Sequence, residues 1–317
     1  METVMHPRRG PLLGLMLFFL LVVSTAEGVE FINKAFTGDR QTTFTSVFQR
    51  YAKLRSDKGE VHAKYSPTAA ALGFHSTHGM LEAGFALSYE WGNRKYSGEG
   101  YSYRVESDIP GLTVFSGVNA PFGLYVEQST YLGYGTFEGK NYYSASTGRL
   151  GNSRDEHKFL FATSLEVGWT FELPLNLSLS PHAGLEYSRS PSETQNWGKN
   201  GGPRIYHHSR HSLDASAGLA LGATITLGGM KIIPSVDATI IDSIGKRDGV
   251  NFHPGFVYRT AKEWRVAGAG GEHIGGRLRA GVDIELWERS RLGVDYSHER
   301  RKGYNDHSVS AMLGWSF

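Results

Sequence analysis

Over most of its length the chain changes character at every second residue. From Leu278 one face reads Leu278, Ala280, Val282, Ile284 and Leu286, while Arg279, Gly281, Asp283 and Glu285 lie between them. Leu81, Ala83, Phe85, Leu87, Tyr89 and Trp91 repeat the pattern against Glu82, Gly84, Ala86, Ser88 and Glu90, and residues 159–171 and 213–223 do so again. A period of two is that of a β-strand with a different environment on each side. The charges of Arg279, Asp283 and Glu285 would be costly inside a sandwich core. In a membrane barrel the polar face lines a wet interior and the apolar face meets lipid, so the pattern predicts a transmembrane antiparallel barrel.

The alternation and its breaks predict about twelve strands, near 59–66, 68–76, 79–91, 110–118, 121–136, 157–171, 175–188, 211–226, 229–241, 274–287, 290–300 and 307–317. Links such as "STH", "NAP", "ELP", "LG" and "ER" are short, whereas 92–109, 137–156, 189–210 and 242–273 are long, polar and rich in glycine. Outer-membrane barrels have short periplasmic turns and long external loops. An even strand count sends the last strand inward and leaves Phe317 on the periplasmic side. The stretch "FVYRTAKEWRVAGAGG" could add an external hairpin.

The front of the chain gives the compartment. A basic start, "HPRR", precedes the apolar run Leu12 to Val23 and the small residues Ser24, Thr25 and Ala26. These are the parts of a cleavable export signal spanning residues 1–26, and the run falls short of the roughly 20 apolar residues of a membrane-spanning helix. Cleavage there leaves 27–317. The chain has no cysteine, so no disulfide framework or thiolate metal site is available. A formal charge of +2 with 40 glycines, 17 Phe, 16 Tyr, 6 Trp and a mean hydropathy of −0.32 argues against a nucleic-acid partner and suits strands that are half in lipid.

Three stretches of the C-terminal third, "LSPHAGLEYS", "GLALGATITLGGMKIIPSVDATI" and "RLRAGVDIELWERSRLGVDYSHERRKGYNDHSVSAMLGWSF", resemble the translocator β-domain of autotransporters. "HKFLFATSLEVGWTFELP" and "AAALGFHSTHGMLEAGFALSYEW" extend the resemblance to residues 60–317. It implies a twelve-stranded barrel in the Gram-negative outer membrane, monomeric and in contact with lipid and lipopolysaccharide. It also implies that the final aromatic strand, with Trp315 and Phe317, is read by the barrel-assembly machinery. A plainer reading makes Phe317 one lipid-facing member of an aromatic girdle.

Autotransporters carry a passenger ahead of the barrel, and here only residues 27–58 are left for one. The passenger is then vestigial, encoded elsewhere, or not needed. Within "TFTSVFQRYAKLRS", Phe44, Val47, Phe48, Tyr51 and Leu54 recur at helical spacing, which predicts a short amphipathic helix. Residues 33–58 hold six basic side chains against Asp39 and Asp57, while the predicted inward faces are mainly acidic. Two readings follow: a solvated linker, or a plug in the lumen with Arg50, Lys53 and Arg55 beside Asp283 and Glu285, held by field focusing in a narrow space.

Chemistry is sparse. His207, His208 and His211 in "HHSRH" could share a metal ion on an external loop, but loop histidines without acidic neighbours are ordinarily plain surface. No cofactor or metal is assigned. His298-Glu299 and Asp306-His307 near the outer rim raise the rival of an omptin-like surface protease, since rim Asp and His can activate water. Beside that hydrolase and the translocator stands a third class, a diffusion pore or an adhesin displaying "NYYSASTG", "SPSETQNWGKNGG" and "IGKRDGVNFHPG" outward.

Overall fold

The computed structural model describes residues 40–55, 61–98, 101–143, 153–190, 194–195, 205–206, 210–244, 274–286, 289–301 and 303–317. Twelve long strands make the wall: β1 (Arg40–Arg55), β2 (Val61–His78), β3 (Leu81–Gly98), β4 (Tyr101–Asn119), β5 (Leu124–Tyr143), β6 (Ser153–Trp169), β7 (Leu177–Ser190), β8 (Arg210–Ala223), β9 (Met230–Ser243), β10 (Ile274–Leu286), β11 (Ser290–Arg301) and β12 (Tyr304–Ser316). Each pairs antiparallel with its sequence neighbours, and β12 pairs with β1. The sheet therefore closes with no free edge, the arrangement a strand protein needs to satisfy its backbone in lipid.

Register fixes the shape of the cylinder. A row of directly opposed residues leaves β1 at Arg40 and passes through Thr77, Glu82, Gly117, Glu127, Glu166, Gly184, Ser216, Ile241, Gly275, Arg301 and Tyr304. It returns to β1 at Leu54, fourteen residues further along the same strand. With strands ~4.8 Å apart and ~3.3 Å per residue, this stagger tilts the strands by about 39° and sets a backbone radius of roughly 12 Å. Each such row climbs about 3 Å per strand toward the long-loop rim.

One rim is made of tight connections. His78 and Leu81 are joined through Gly79, whose φ of +56° is in the left-handed region open to glycine. Between β6 and β7 a short hairpin, Phe171–Leu173 against β7, turns through Pro174–Asn176, and Ile225–Leu227 makes the equivalent hairpin against β9. Arg40 and Phe317 are at this same rim, where the Phe317 amide donates to the Gln41 carbonyl at 3.0 Å.

Residues 43–55 do not form the predicted helix. Arg40–Arg55 is wall strand β1, so the barrel begins at Arg40 and not at residue 59. Both faces of β1 mix polar and apolar residues, with Phe44, Ser46, Phe48, Arg50 and Ala52 inward and Thr43, Thr45, Val47, Gln49, Tyr51 and Lys53 outward. The mixture removed the period-2 contrast and let an i, i+3, i+4 coincidence stand out, although the run of β-branched residues favours a strand. Without β1, strand β12 would present an unpaired edge to lipid.

The two strands predicted at 59–66 and 68–76 are one, β2, with Pro67 inside it. The ladder with β1 skips from Gln49↔Thr68 to Ala52↔Tyr65, which accommodates a residue lacking an N–H, while the ladder with β3 is unbroken. One strand gained and one pair merged leave the total at twelve. Residues 92–98, 101–109, 137–143 and 153–156, read as loop, extend β3 to β6.

The outward face is apolar across the wall, with Leu72, Leu87, Val114, Phe159, Leu165, Leu219, Ile240, Leu278, Val282, Val309 and Leu313 all exposed. Such a surface is a liability in water and is the membrane-facing band of a transmembrane barrel.

Candidate functional site in the lumen and closing seam

Inward side chains of β1–β6 pack on one another. Phe44 on β1 and Phe115 on β4 have ring centroids 6.3 Å apart, Phe115 stacks with His75 of β2, and Ala86 and Met312 complete this cluster. A second cluster joins Val105, Ile109, Tyr131, Phe137, Leu160 and Ala162 of β4 to β6. Glycines make room for these rings. Phe44 lies over Gly73 and Phe115 over Gly84, each directly across the ladder, and Tyr131 covers Gly111 and Gly133; an added Cβ at any of the four would overlap the ring. The charges on this side are buried among aromatics: the Arg94 guanidinium is 4.9 Å from the Tyr65 ring and 5.3 Å from that of Phe137, and Tyr65 donates a short hydrogen bond to Glu90.

Around β7–β12 the lumen is lined by ion pairs between neighbouring strands. Arg291 donates to both oxygens of Asp283 at 2.7 and 3.2 Å, Arg279 to Asp295 at 3.2 Å, and Lys231 lies 3.9 Å from Glu285. These groups keep partial contact with solvent. One knot is fully buried: Arg301 donates to Glu299 at 2.7 Å, Asp214 at 3.1 Å and Ser243 at 2.8 Å.

The seam between β1 and β12 runs from Thr42↔Ser316 to Leu54↔Tyr304. On its inner side Arg50 makes a short bidentate bond to Asp306 and donates to the Tyr304 hydroxyl at 2.9 Å; that hydroxyl in turn donates to Asp306 at 2.9 Å. All three are buried. On the outer side Trp315 and Phe317 are exposed, and Phe317 is bonded to the wall through its main chain.

Of the residues expected to meet in a plug, Arg50 is inward but belongs to the wall, with Asp306 as its partner. Lys53 faces outward, its ammonium 5.4 Å from the Tyr51 ring. Asp283 and Glu285 are inward as expected and are engaged by Arg291 and Lys231. The side chain of Arg55, like His207, His208 and the side chain of His211, lies outside the described residues. Strand alternation splits the two rim dipeptides: Glu299 and Asp306 point inward to Arg301 and Arg50, while His298 and His307 stack outward with centroids 4.4 Å apart. Neither forms an Asp–His or Glu–His couple. Sequence reading missed the Arg50–Asp306–Tyr304 and Arg301–Glu299–Asp214 groups, because their members are up to 256 residues apart and only closure brings them together.

A family model, the autotransporter β-domain, matches residues 43–297. The chain belongs to the autotransporter β-domain family. The fold agrees with solved translocators. The β-domain of the Bordetella autotransporter BrkA superposes with a TM-score of 0.64 at 18% identity over 87% of this chain and 98% of that one. The translocator domain of NalP from Neisseria meningitidis gives 0.59 at 15%, over 95% and 98%. The transport unit of AIDA-I from Escherichia coli gives 0.63 at 11%, over 87% and 90%. Comparison with curated proteins returns no match. The autotransporter barrel is thus a Gram-negative outer-membrane protein, with its tight-turn rim in the periplasm and its long-loop rim outside.

Proposed function

We propose that this autotransporter barrel works as a translocator, carrying the chain that precedes Arg40 across the outer membrane through its own lumen. The observation that carries the reading is that Arg40 lies at the periplasmic rim beside Phe317, so the upstream chain is delivered to the mouth of the barrel. The two sides of the lumen support a path along β7–β12, where partly exposed ion pairs offer a polar surface, rather than along the aromatic packing of β1–β6. The role is structural and conductive, without a catalytic step. Closure of all strands leaves no edge for a second copy, which favours a monomer. Trp315 and Phe317, exposed at the end of the seam strand, are the residues for the barrel-assembly machinery to read.

An epitope placed immediately ahead of Arg40 tests the proposal by antibody labelling of intact cells. Surface labelling that requires the barrel is expected. Labelling only after the outer membrane is permeabilised would reject translocation while leaving the fold untouched.

A further inference from the structure

The outward face carries a row of cations that neither the fold nor translocation explains. At the long-loop end of the wall Lys53 of β1 is directly opposite Lys64 of β2, Lys64 is opposite Lys95 of β3, and Lys95 is opposite Arg104 of β4. In the other direction Lys53 faces Asn305 of β12, which faces Arg300 of β11. Like charges directly across a ladder are destabilising. Arg104 has Glu106 at 3.5 Å. Among the described residues no carboxylate lies within ion-pair distance of Lys53, Lys64, Lys95 or Arg300, and no Asp or Glu stands on the outward face of β10, β11, β12, β1, β2 or β3.

The height of the row matters as much as its charge. Tyr51 and Trp91, at nearly the same height, mark the aromatic girdle on β1 and β3. Lys53 and Lys95 lie two and four residues beyond Tyr51 and Trp91, about 5 and 10 Å higher on strands of this tilt, which is the headgroup layer, while Arg300, two strands back along a row that climbs about 3 Å per strand, lies about 6 Å below Lys53 and level with the girdle. Continued the other way, the same row descends from Arg300 through Gly276 and Ile240 to Ala217. There the wall bears a shallow, open recess of about 660 Å³, lined by Ala217, Ala238, Ile240, Gly276, His298 and Arg300. Small residues open it, and Arg300 stands at its upper end.

A cation row in the headgroup layer, leading down into an apolar recess, matches an amphiphile with several phosphates and acyl chains. We propose that this face binds the phosphorylated glycolipid of the outer leaflet, lipopolysaccharide, with phosphates on Lys53, Lys64, Lys95 and Arg300 and an acyl chain in the recess at Gly276. The site is independent of translocation and stands or falls separately from it.

The test uses the full-length barrel folded in neutral detergent, with diphosphorylated lipid A and its dephosphorylated form as probes and native mass spectrometry as readout. At roughly one surface-lysine contribution each, Lys53→Gln, Lys64→Gln and Lys95→Gln together should weaken retention of diphosphorylated lipid A on the order of 100-fold. Arg189→Gln, an outward charge on β7, should leave it unchanged. Retention by the wild-type protein should fall as sodium chloride is raised. Gly276→Leu, where an added Cβ meets open space, should weaken both lipid forms by filling the recess. If the triple variant fails to fold, Lys64→Gln alone should give about a fivefold loss. Undiminished retention by the neutralised barrel, equal loss of the dephosphorylated lipid, or indifference to salt would each overturn the proposal.

Discussion

The two halves of the wall solve one problem in different ways. Among the described residues strands β1–β6 run 16 to 20 residues, whereas β7–β12 run 12 to 14. At this tilt a 19-residue strand stands about 49 Å high and a 13-residue strand about 33 Å, so the first half rises clear of an apolar band roughly 25 Å tall. The tall half fills its side of the lumen with rings seated on glycines. The short half lines its side with paired charges. The same backbone closure thus leaves one side packed mainly by rings and the other lined by partly exposed ion pairs, which is the difference a conducting path would use.

Breaking one buried exception to that contrast should have the largest effect. Arg301 belongs to the short half yet is buried, so Arg301→Met leaves Asp214 and Glu299 without their counter-charge and should cost about 3–5 kcal/mol. Denaturant unfolding in lipid vesicles, followed by tryptophan fluorescence, would measure it. Tyr131→Ala in the tall half should cost a comparable ~3–5 kcal/mol by emptying the space above Gly111 and Gly133.

Next in size is the membrane face. Val282→Arg, in mid-strand on β10, should destabilise by about 2–4 kcal/mol if that position meets the bilayer midplane. A cost below ~1 kcal/mol would move the band. Smaller still is Asp283→Asn: its pair with Arg291 retains solvent contact, with side chains 25% and 21% exposed, and the change should be about 0–1 kcal/mol. An effect as large as that of Arg301→Met would erase the proposed distinction between ring-packed and ion-paired sides.

Phe317→Asp should be the smallest in stability, about 0–1 kcal/mol at an interface, because the wall holds Phe317 by its amide. Barrel levels in the outer membrane should nevertheless collapse if the terminal aromatic is an address. Normal levels would make it an ordinary girdle residue.

Where the two faces differ, the sequence was legible. Strands β3 within the membrane, β6, β8 and β10 to β12 show alternation that follows directly from lipid on one side and water on the other. The signal faded wherever both sides were alike. Beyond the apolar band the outward side chains of Asn93, Lys95, Arg104, Glu106 and Asp108 are all polar, so β3 continues to Gly98 and β4 starts at Tyr101 by backbone pairing with no apolar contrast to reveal them. In β1 the loss had the opposite cause, since Phe44 and Phe48 are drawn inward by packing while threonines and Gln49 face out. The individual charges of the lumen were mostly placed correctly by alternation, but their partners were not, because partnership depends on register and closure.

The central claim is that residues 40–55 are wall and close the barrel against the last strand. The chain has no cysteine, so paired substitutions report directly. Thr45→Cys with Leu313→Cys places two thiols on directly opposed residues, within the Cα separation a disulfide needs. Efficient oxidative cross-linking of that pair in the assembled barrel, with none for Arg50→Cys with Asp283→Cys, is the predicted result. Cross-linking of Arg50→Cys with Asp283→Cys and not of Thr45→Cys with Leu313→Cys would put the segment inside the lumen and contradict the account.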